Sequence, residues 1–351
     1  MGCSSLRVAL AQGGTNLRCT SSECTDGSVF RRLDANPSLG GVAAAGLMAG
    51  AASAATNYVW SGGTHAAPYD TWAAAATNIQ TAVDYASTNY PAYDTVLVTD
   101  GTYSVTAQVT ITNAIALRSV NGPDVTTIRR ASGAIRVVEI QSNAAGAVLS
   151  GFTVRDGNRS GDFEQGGGIR MLADATISNC VISSNTVSGG GGNPRYGAGV
   201  YMTTGRVVNC RIINNATPGV YWGDYGGGVY MTGGTLVNCI ITNNSIGTPY
   251  QMDQGGGGGV YATGGDVVNC LLARNAAQIG SGYRGSGRLV NCTVAGNAAL
   301  AKSDGNPGSG AGVYGNAGCA ATNMIVFANT NHLGAAADYA GSVSFAYSCT
   351  T

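Results

Sequence analysis

Hydrophobic and polar positions in the second half of the chain recur in a fixed order, seen clearly in residues 226–244, GGGVYMTGGTLVNCIITNN. Each copy has an asparagine one residue before and five residues after a central position, and an aliphatic residue two after it. The central position is filled by Cys180, Cys210, Cys239, Cys270, Cys292 and Met324. Repeats of about 20–50 residues are typical of solenoids, propellers and arrays.

The elements within each copy are short β-rich runs separated by Gly-Gly and Asn-Asn pairs, which are turn residues. Successive cysteines lie 30, 29, 31 and 22 residues apart. No copy has a helical period, which excludes helical repeats, and a propeller blade needs about 40 residues. The pattern therefore predicts an all-β solenoid, a parallel β-helix with one coil per repeat, in which equivalent residues stack about 4.8 Å apart.

Stacking gives two of the repeated positions a structural explanation. One asparagine of each copy is expected to point inward and bond along the axis. We predict this of Asn209, Asn238, Asn269 and Asn291, or else of the set that follows each cysteine by five residues. One cysteine per coil suits neither a metal site nor disulfides between coils. Cys180, Cys210, Cys239, Cys270 and Cys292 are therefore predicted to form a buried column of thiols.

The N-terminal part is organised differently. Residues 1–28 have no assignable element and are expected to be disordered or to precede the true start. Residues 29–55 combine Arg31-Arg32, an apolar run and Ala52-Ser53-Ala54, which predicts a signal peptide; a membrane-buried helix is the alternative. In residues 56–94, Asp70-Thr71 is predicted to cap an amphipathic helix, from Trp72 to Ala86, that covers the first coil.

The β-helix is predicted over residues 95–351. The last residues, SVSFAYSCTT, suit a further strand, and no polar outer coil or helix follows them. Because terminal repeats normally carry a cap, we expect the C-terminal end to be truncated.

Three stretches then resemble a known family: WAAAATNIQTAVDYAS, DTVLVTDGTY and NGPDVTTI, followed by NC-x-I-x-NN coils. Over residues 57–349 the chain resembles right-handed parallel β-helix repeat proteins of the pectin-lyase-like superfamily. The resemblance implies a right-handed single-stranded β-helix and an exported bacterial protein. More loosely, the GGGVY and Asn-Asn pairing resembles the repeats of polymorphic surface adhesins.

Charge and composition limit the classes of function that the chain can have. The chain has 18 basic and 18 acidic residues, so no net charge favours nucleic acid or anionic membranes. Carboxylates are sparse, and no pattern selects the facing pair that glycoside hydrolysis needs or the base that a lyase needs. Whether the protein is an enzyme stays open at this stage. No cofactor is expected, except calcium if the chain is a lyase, and the mature protein is expected to be a monomer without a transmembrane helix.

Inserted loops between the repeats hold the best candidate site. Stacked on one side of the solenoid, they would bring aromatic rings and carboxylates together, as sugar recognition requires. The candidate ligand-binding residues are Tyr196, Tyr221, Trp222, Tyr225, Tyr250, Asp162, Glu164, Asp224 and Asp253. The alternative is that these rings only pack their own loops. The sequence thus predicts a secreted or cell-surface scaffold that binds polysaccharide or a cell-surface partner, with a pectate-lyase-like lyase or glycoside hydrolase as the alternative.

Overall fold

The computed structural model describes residues 54–189, 193–218, 223–247, 255–302 and 305–350. The segment 1–28 and the predicted signal peptide as far as residue 53 lie outside these residues. Within these described ranges one helix, α1 (Ile79–Thr88), accompanies 35 strands. The first strands are β1 (Ala55–Val59), β2 (Tyr93–Val98), β3 (Gly101–Val105), β4 (Val109–Ile111), β5 (Ala116–Ser119), β6 (Thr126–Arg130), β7 (Val138–Ile140), β8 (Val148–Ser150), β9 (Thr153–Arg155), β10 (Asn158–Ser160), β11 (Ile169–Met171) and β12 (Thr176–Ser178).

The repeats supply the remaining strands. They are β13 (Val181–Ser183), β14 (Thr186–Ser188), β15 (Val200–Met202), β16 (Arg206–Val208), β17 (Arg211–Ile213), β18 (Ala216–Thr217), β19 (Val229–Met231), β20 (Thr235–Val237), β21 (Ile240–Thr242), β22 (Ser245–Ile246), β23 (Val260–Ala262) and β24 (Asp266–Val268). The last are β25 (Leu271–Ala273), β26 (Ala276–Ala277), β27 (Tyr283–Gly285), β28 (Arg288–Val290), β29 (Thr293–Ala295), β30 (Ala298–Ala299), β31 (Val313–Thr322), β32 (Ile325–Phe327), β33 (Thr330–Asn331), β34 (Tyr339–Ala346) and β35 (Cys349–Thr350).

These strands occupy four positions in each complete coil. The first and second positions, such as β15 and β16, belong to one sheet, the third, such as β17, to a second, and the short fourth, such as β18, to a third. Each strand pairs in parallel with its counterpart one coil on, as β15 does with β19, β17 with β21 and β18 with β22. The predicted parallel β-helix is confirmed. The last expected strand is present as β34 and β35.

The core consists of aliphatic columns along the solenoid axis. One column runs through successive third-position strands and is fully buried: Ile182, Ile212, Ile241, Leu272, Val294 and Val326. Another runs through the second position: Ile177, Val207, Leu236, Val267, Leu289 and Ala321. Apolar burial of this kind is the main stabilising contribution to such a fold.

A buried asparagine ladder lies beside these columns. Its members are Asn185, Asn215, Asn244, Asn275, Asn297 and Asn329. The backbone N–H and the side-chain Nδ2 of Asn215 both donate to Asn244 Oδ1, at 3.0 and 2.9 Å. Asn244 Nδ2 donates to the Ile212 carbonyl at 2.9 Å and to Asn275 Oδ1 at 3.1 Å. Each side chain therefore forms hydrogen bonds with backbone groups of the neighbouring coil that would otherwise be buried without a partner.

The inward set is the later of the two predicted sets, so the assignment of the ladder to Asn209, Asn238, Asn269 and Asn291 is wrong. Those four side chains are exposed. Their backbones have φ between 53° and 54°, the left-handed region that asparagine tolerates better than other side chains. This set is repeated because the corner before each cysteine needs that backbone conformation.

The glycine run that precedes each first-position strand fits the same ladder. A Cβ added to Gly228 would stand 2.5 Å from the Gly259 carbonyl oxygen and 3.0 Å from Asn244 Cγ. The backbone of one coil thus lies directly against the next coil and the ladder, and only glycine leaves the necessary space.

The predicted N-terminal helix exists, but its predicted start is wrong. It begins at Ile79, after the N-cap Asn78, whose Oδ1 accepts a hydrogen bond from the Thr81 N–H at 2.9 Å. The Asp70-Thr71 pair lies before it in an irregular segment, because Ala76 instead forms a bridge with Val59 of β1. No helix among the described residues is long and apolar enough to cross a membrane.

The helix lies against the first coils. Gln80 reaches the strand β4: its Oε1 accepts from the Thr110 N–H at 2.7 Å, and its Nε2 donates to the Thr110 carbonyl at 3.2 Å. One amide side chain thus occupies both backbone groups that a neighbouring strand would pair.

The repeat cysteines are buried free thiols, between 1 and 3% exposed. The Cys239 N–H donates to Cys270 Sγ at 3.4 Å, and the Cys270 N–H donates to Cys292 Sγ at 3.4 Å. Hydrogen bonds with the thiols of Cys180 and Cys239, and then burial, raise the pKa of Cys210. The pKa values of the coupled thiols shift in opposite directions, down for Cys239 and Cys292, so it is burial that keeps the column away from solvent and reagents.

We therefore predict that Cys210, Cys239 and Cys270 resist alkylation in the folded protein and react after denaturation, as buried thiols do. The exposed Cys349 is the internal control and should react in the folded state. Mass spectrometry of peptides after iodoacetamide treatment measures both. A crosslinked peptide containing Cys239 and Cys270 under non-reducing digestion would contradict the prediction.

Candidate functional site

The outward face of the first-position strands carries a continuous row of side chains. These strands alternate as in Val229-Tyr230-Met231, with Val229 and Met231 fully buried and Tyr230 half-buried. Strand pairing aligns the middle residues in the order Thr110, Glu139, Arg170, Tyr201, Tyr230, Tyr261, Arg284 and Tyr314. The row begins polar and charged and becomes aromatic.

Three tyrosines of this row are stacked. The ring centroids of Tyr201 and Tyr230 lie 5.4 Å apart with an interplanar angle of 3°, and those of Tyr230 and Tyr261 lie 5.4 Å apart at 2°. These distances exceed the spacing of paired strands, about 4.8 Å, so the parallel rings are offset along one another. The three coils therefore present the same ring and hydroxyl at a regular interval.

A second aromatic row joins the first from the base of the inserted loops. Tyr196 and Tyr225 are bridge partners whose rings stack at 5.8 Å. The Tyr196 ring meets Tyr230 edge-on at 4.8 Å, and the Tyr225 ring lies 4.7 Å from that of Tyr261. We name the five residues Tyr196, Tyr201, Tyr225, Tyr230 and Tyr261 the tyrosine platform.

Arg284 continues the platform along the axis. Its guanidinium carbon lies 5.7 Å from the ring centroid of Tyr261 and 5.5 Å from that of Tyr314, so the cation is held between two aromatic faces. Space for it comes from Gly256, which is the bridge partner of Tyr225. A Cβ on Gly256 would stand 2.5 Å from Arg284 Cδ. Gly256 stands where the two preceding coils have Tyr196 and Tyr225, and its lack of a side chain makes room for the arginine of the next coil.

Burial sets the protonation of four of the platform hydroxyls. It raises the pKa of Tyr196, Tyr201, Tyr225 and Tyr230 above the ordinary value for tyrosine. These hydroxyls therefore stay protonated at neutral pH and can both donate and accept hydrogen bonds.

The charged end of the row is internally paired. Glu139, 5% exposed, accepts from Arg170 Nη2 at 2.6 Å, from Arg136 Nη1 at 3.2 Å, and from Gln108. Burial, followed by the charge of Arg170, lowers the pKa of Arg136. This network anchors the beginning of the row.

Of the four carboxylates predicted for the site, the three that the structure describes do not gather around the platform as free groups. Glu164 Oε1 and Oε2 are bonded by Arg159, at 2.5 and 2.8 Å. Asp162 is exposed and accepts from Asn193 Nδ2 at 3.0 Å. Asp224 is 1% exposed and paired with Arg195, so its prediction as an accessible ligand contact is wrong.

Of the aromatic residues predicted from the loops, Tyr196 and Tyr225 lie in the platform. Tyr221, Trp222, Tyr250 and Asp253 fall outside the described residues. The outward role of Tyr201, Tyr230 and Tyr261 was not predicted, although the alternation of Val, Tyr and Met or Ala in their strands indicates it. Tyr283 lies nine residues before its cysteine, as these tyrosines do, but it is fully buried. In the strand register it pairs with Val260, which is also buried. That coil is one residue shorter at its corner, so Arg284 faces outward in its place.

No group of three or more His, Cys, Asp or Glu side chains that could hold a metal ion occurs within the described ranges.

No protein-family model matches the chain, and no curated protein matches it. Two solved structures are similar to it. A pectate lyase, Pel9A, is 13% identical, with 86% of this chain and 79% of that chain covered and a TM-score of 0.48. The pectin methylesterase PemA from Erwinia chrysanthemi is 11% identical, with 85% and 90% covered and a TM-score of 0.40. The fold rests on the strand registers described above, and neither similarity transfers an activity to this chain.

Proposed function

We propose that the chain is a scaffold that binds a linear polysaccharide along the tyrosine platform, parallel to the solenoid axis. The observation that carries the proposal is the regular stack of Tyr201, Tyr230 and Tyr261 with Arg284 at its end. Successive coils are about 4.8 Å apart, about the length of one sugar residue, so each coil can offer one residue of the polymer the same contacts.

The chemistry of the platform suits sugars. Half-buried aromatic rings offer apolar surface to the C–H groups of a sugar ring, and their protonated hydroxyls pair with sugar hydroxyls. The second row, Tyr196 and Tyr225, widens the surface without adding a charge. Because the rings pack on each other, few rotamers are lost when a ligand binds, which favours affinity.

The proposal includes export to the cell surface or the medium, as the predicted signal peptide requires, and a monomeric state. Free thiols are compatible with an oxidising compartment here, because the column is buried and out of reach of oxidants.

Replacing two platform rings tests the proposal. We expect Tyr230→Ala with Tyr261→Ala to weaken retention on polysaccharide at least about tenfold, since central aromatic contacts carry much of the energy of an interface. Affinity electrophoresis in gels containing polygalacturonate, xylan or soluble glucan measures retention, and thermal unfolding measures folding. The matched control is Tyr347→Asn, which removes a tyrosine that is 91% exposed and lies outside the platform.

Two further variants separate the contributions. Tyr230→Phe with Tyr261→Phe keeps the rings and removes the hydroxyls, so a partial loss would assign hydrogen bonds as well as stacking. Trp222→Ala with Tyr250→Ala tests the loops outside the described residues. If the folded Tyr230→Ala, Tyr261→Ala protein is retained as the unmodified chain is, and the Trp222→Ala, Tyr250→Ala protein is not retained, the binding site lies in the loops and not on the platform.

The enzymatic alternative is a polysaccharide lyase or hydrolase. Incubating the chain with uronate polymers, with and without calcium, and following absorbance from new C=C bonds and the release of reducing ends tests it directly. If the unmodified chain shows turnover and the Tyr230→Ala, Tyr261→Ala variant does not, the protein is an enzyme that acts at the platform and not a binding scaffold.

A further inference from the structure

We infer that the first coils carry a second binding site, for a single neutral pyranose ring, in the depression between Trp60 and Trp72. This depression is lined by Trp60, Trp72, Thr99, Asp100, Val120 and Asn121. It is separate from the tyrosine platform and independent of the function proposed for that surface.

The depression is built on the solenoid, at one corner of three successive coils. Trp60, Thr99 and Val120 each follow the last residue of a paired strand, β1, β2 and β5 respectively. The Thr99 N–H donates to the Val59 carbonyl at 3.0 Å, and the Val120 N–H donates to the Val98 carbonyl at 2.9 Å. The positions of these three lining residues are therefore fixed by the strand ladder.

Both indoles are supported on one side and open on another. A Cβ added to Gly62 would stand 2.7 Å from Trp60 Cζ2, so that indole lies against the Gly62 backbone. The Trp72 ring packs on Tyr58, with centroids 4.3 Å apart. Even so, Trp60 is 42% and Trp72 38% exposed, which is unusual for such large apolar side chains. Rings held in place lose little entropy on binding.

The polar groups of the depression are few and oriented. Both oxygens of Asp100 accept from Asn121 Nδ2, at 2.9 and 3.1 Å, which holds the carboxylate in place. Each carboxylate oxygen has a further lone pair for a ligand hydroxyl. The Thr99 hydroxyl is already bonded to the Tyr103 hydroxyl at 2.9 Å.

This combination favours a neutral sugar. Asp100 is the one charged residue among the six that line the depression, so an acidic sugar or a phosphate would meet repulsion. A pyranose places its C–H face on an indole and its hydroxyls against Asp100, using both kinds of group. A small cation would use the same groups, but it is stabilised best when aromatic faces exclude water around it, and this surface is open.

The full chain provides its own spectroscopic probes, because it contains three tryptophans, Trp60, Trp72 and Trp222. Indole N–H resonances of the nitrogen-15-labelled protein are assigned with Trp60→Phe and Trp72→Phe variants. Methyl β-glucoside, methyl β-galactoside and methyl α-mannoside are titrated, with tetramethylammonium chloride as the cationic comparison.

We expect at least one glycoside to shift the Trp60 and Trp72 signals saturably. Asp100→Asn should weaken that binding about tenfold, because it removes a charged acceptor of the same shape. Val120→Arg, at a side chain 48% exposed, should fill the depression and abolish glycoside binding. This variant tests the inference if Asp100→Asn does not fold.

Three results would overturn the inference: no glycoside shifts either signal, tetramethylammonium alone shifts them, or the folded Asp100→Asn and Val120→Arg proteins bind as the unmodified chain does. The proposals for the two sites are tested independently. The Tyr230→Ala, Tyr261→Ala protein should show unchanged indole shifts with the glycoside, and Asp100→Asn should leave polysaccharide retention by the platform unchanged.

Discussion

Replacing Asn244 by alanine is expected to destabilise the protein by about 3–5 kcal/mol, the cost of several unpaired buried groups together with the lost packing. Asn244 Oδ1 is the acceptor for both the backbone N–H and Nδ2 of Asn215, and all three groups are buried. Its own Nδ2 donates to Ile212. Water cannot replace these bonds, because neither residue is measurably exposed. Urea unfolding followed by circular dichroism measures the change.

The exposed asparagine of the same coil is the matched control. Asn238 has a φ of 54°, and its Nδ2 donates to Asn209 Oδ1 at 3.2 Å on the surface. Asn238→Ala should cost about 1 kcal/mol, for placing alanine in the left-handed region, and Asn238→Gly should be nearly neutral. Equal unfolding midpoints for Asn244→Ala and Asn238→Ala would contradict the ladder.

The two asparagine sets also show where sequence reasoning reaches its limit. Their regular spacing predicts coils and stacking, because only a repeated three-dimensional position keeps one residue type in each copy. It does not decide which of two equally regular positions points inward. Asn238 is selected by backbone conformation and Asn244 by hydrogen bonding, and both selections leave the same letter in the sequence.

The candidate site was predictable in part for a related reason. Tyr230 and its stacked neighbours belong to the repeat, so their spacing is typical of structural residues, whereas the irregular loops are typical of binding sites. The strand alternation that exposes them was readable, with Val229 and Met231 on the opposite face. The sequence pattern does not predict that Arg284 faces outward while Tyr283 is buried, because this depends on a corner that is shorter by one residue.

The start of the helix was predicted wrongly because a tertiary contact competes with the helix. Asp70-Thr71 has the composition of an N-cap, and the Thr71 hydroxyl does accept from the Ala74 N–H at 3.2 Å. However, Ala76 pairs with Val59, and this tertiary contact holds the segment out of the helix until Asn78. Spacing alone could not reveal that pairing.

Removing Asp224 is expected to lower stability by about 3–5 kcal/mol, because it leaves a buried arginine charge without its partner. Arg195 is not measurably exposed, and its Nε lies 3.1 Å from Asp224 Oδ1, which also accepts from the Arg195 N–H at 3.1 Å. Each member of the pair precedes a platform tyrosine, Tyr196 or Tyr225, and the Tyr225 N–H donates to the Arg195 carbonyl at 2.9 Å. The ion pair thus positions the second aromatic row. We therefore expect Asp224→Ala to lower both the unfolding midpoint and polysaccharide retention.

Two comparisons decide between positioning and direct contact. Arg195→Met combined with Asp224→Ala should be less destabilised than Asp224→Ala alone, since no unpaired charge is then left buried. Asp162→Ala, at an exposed carboxylate near the same loops, should change the midpoint by no more than about 0.5 kcal/mol. If Asp224→Ala kept full stability and still lost retention, Asp224 would be a ligand contact after all, reached through a rearranged loop. If it lost stability and kept retention, the second row would be dispensable, and binding would belong to Tyr201, Tyr230, Tyr261 and Arg284 alone.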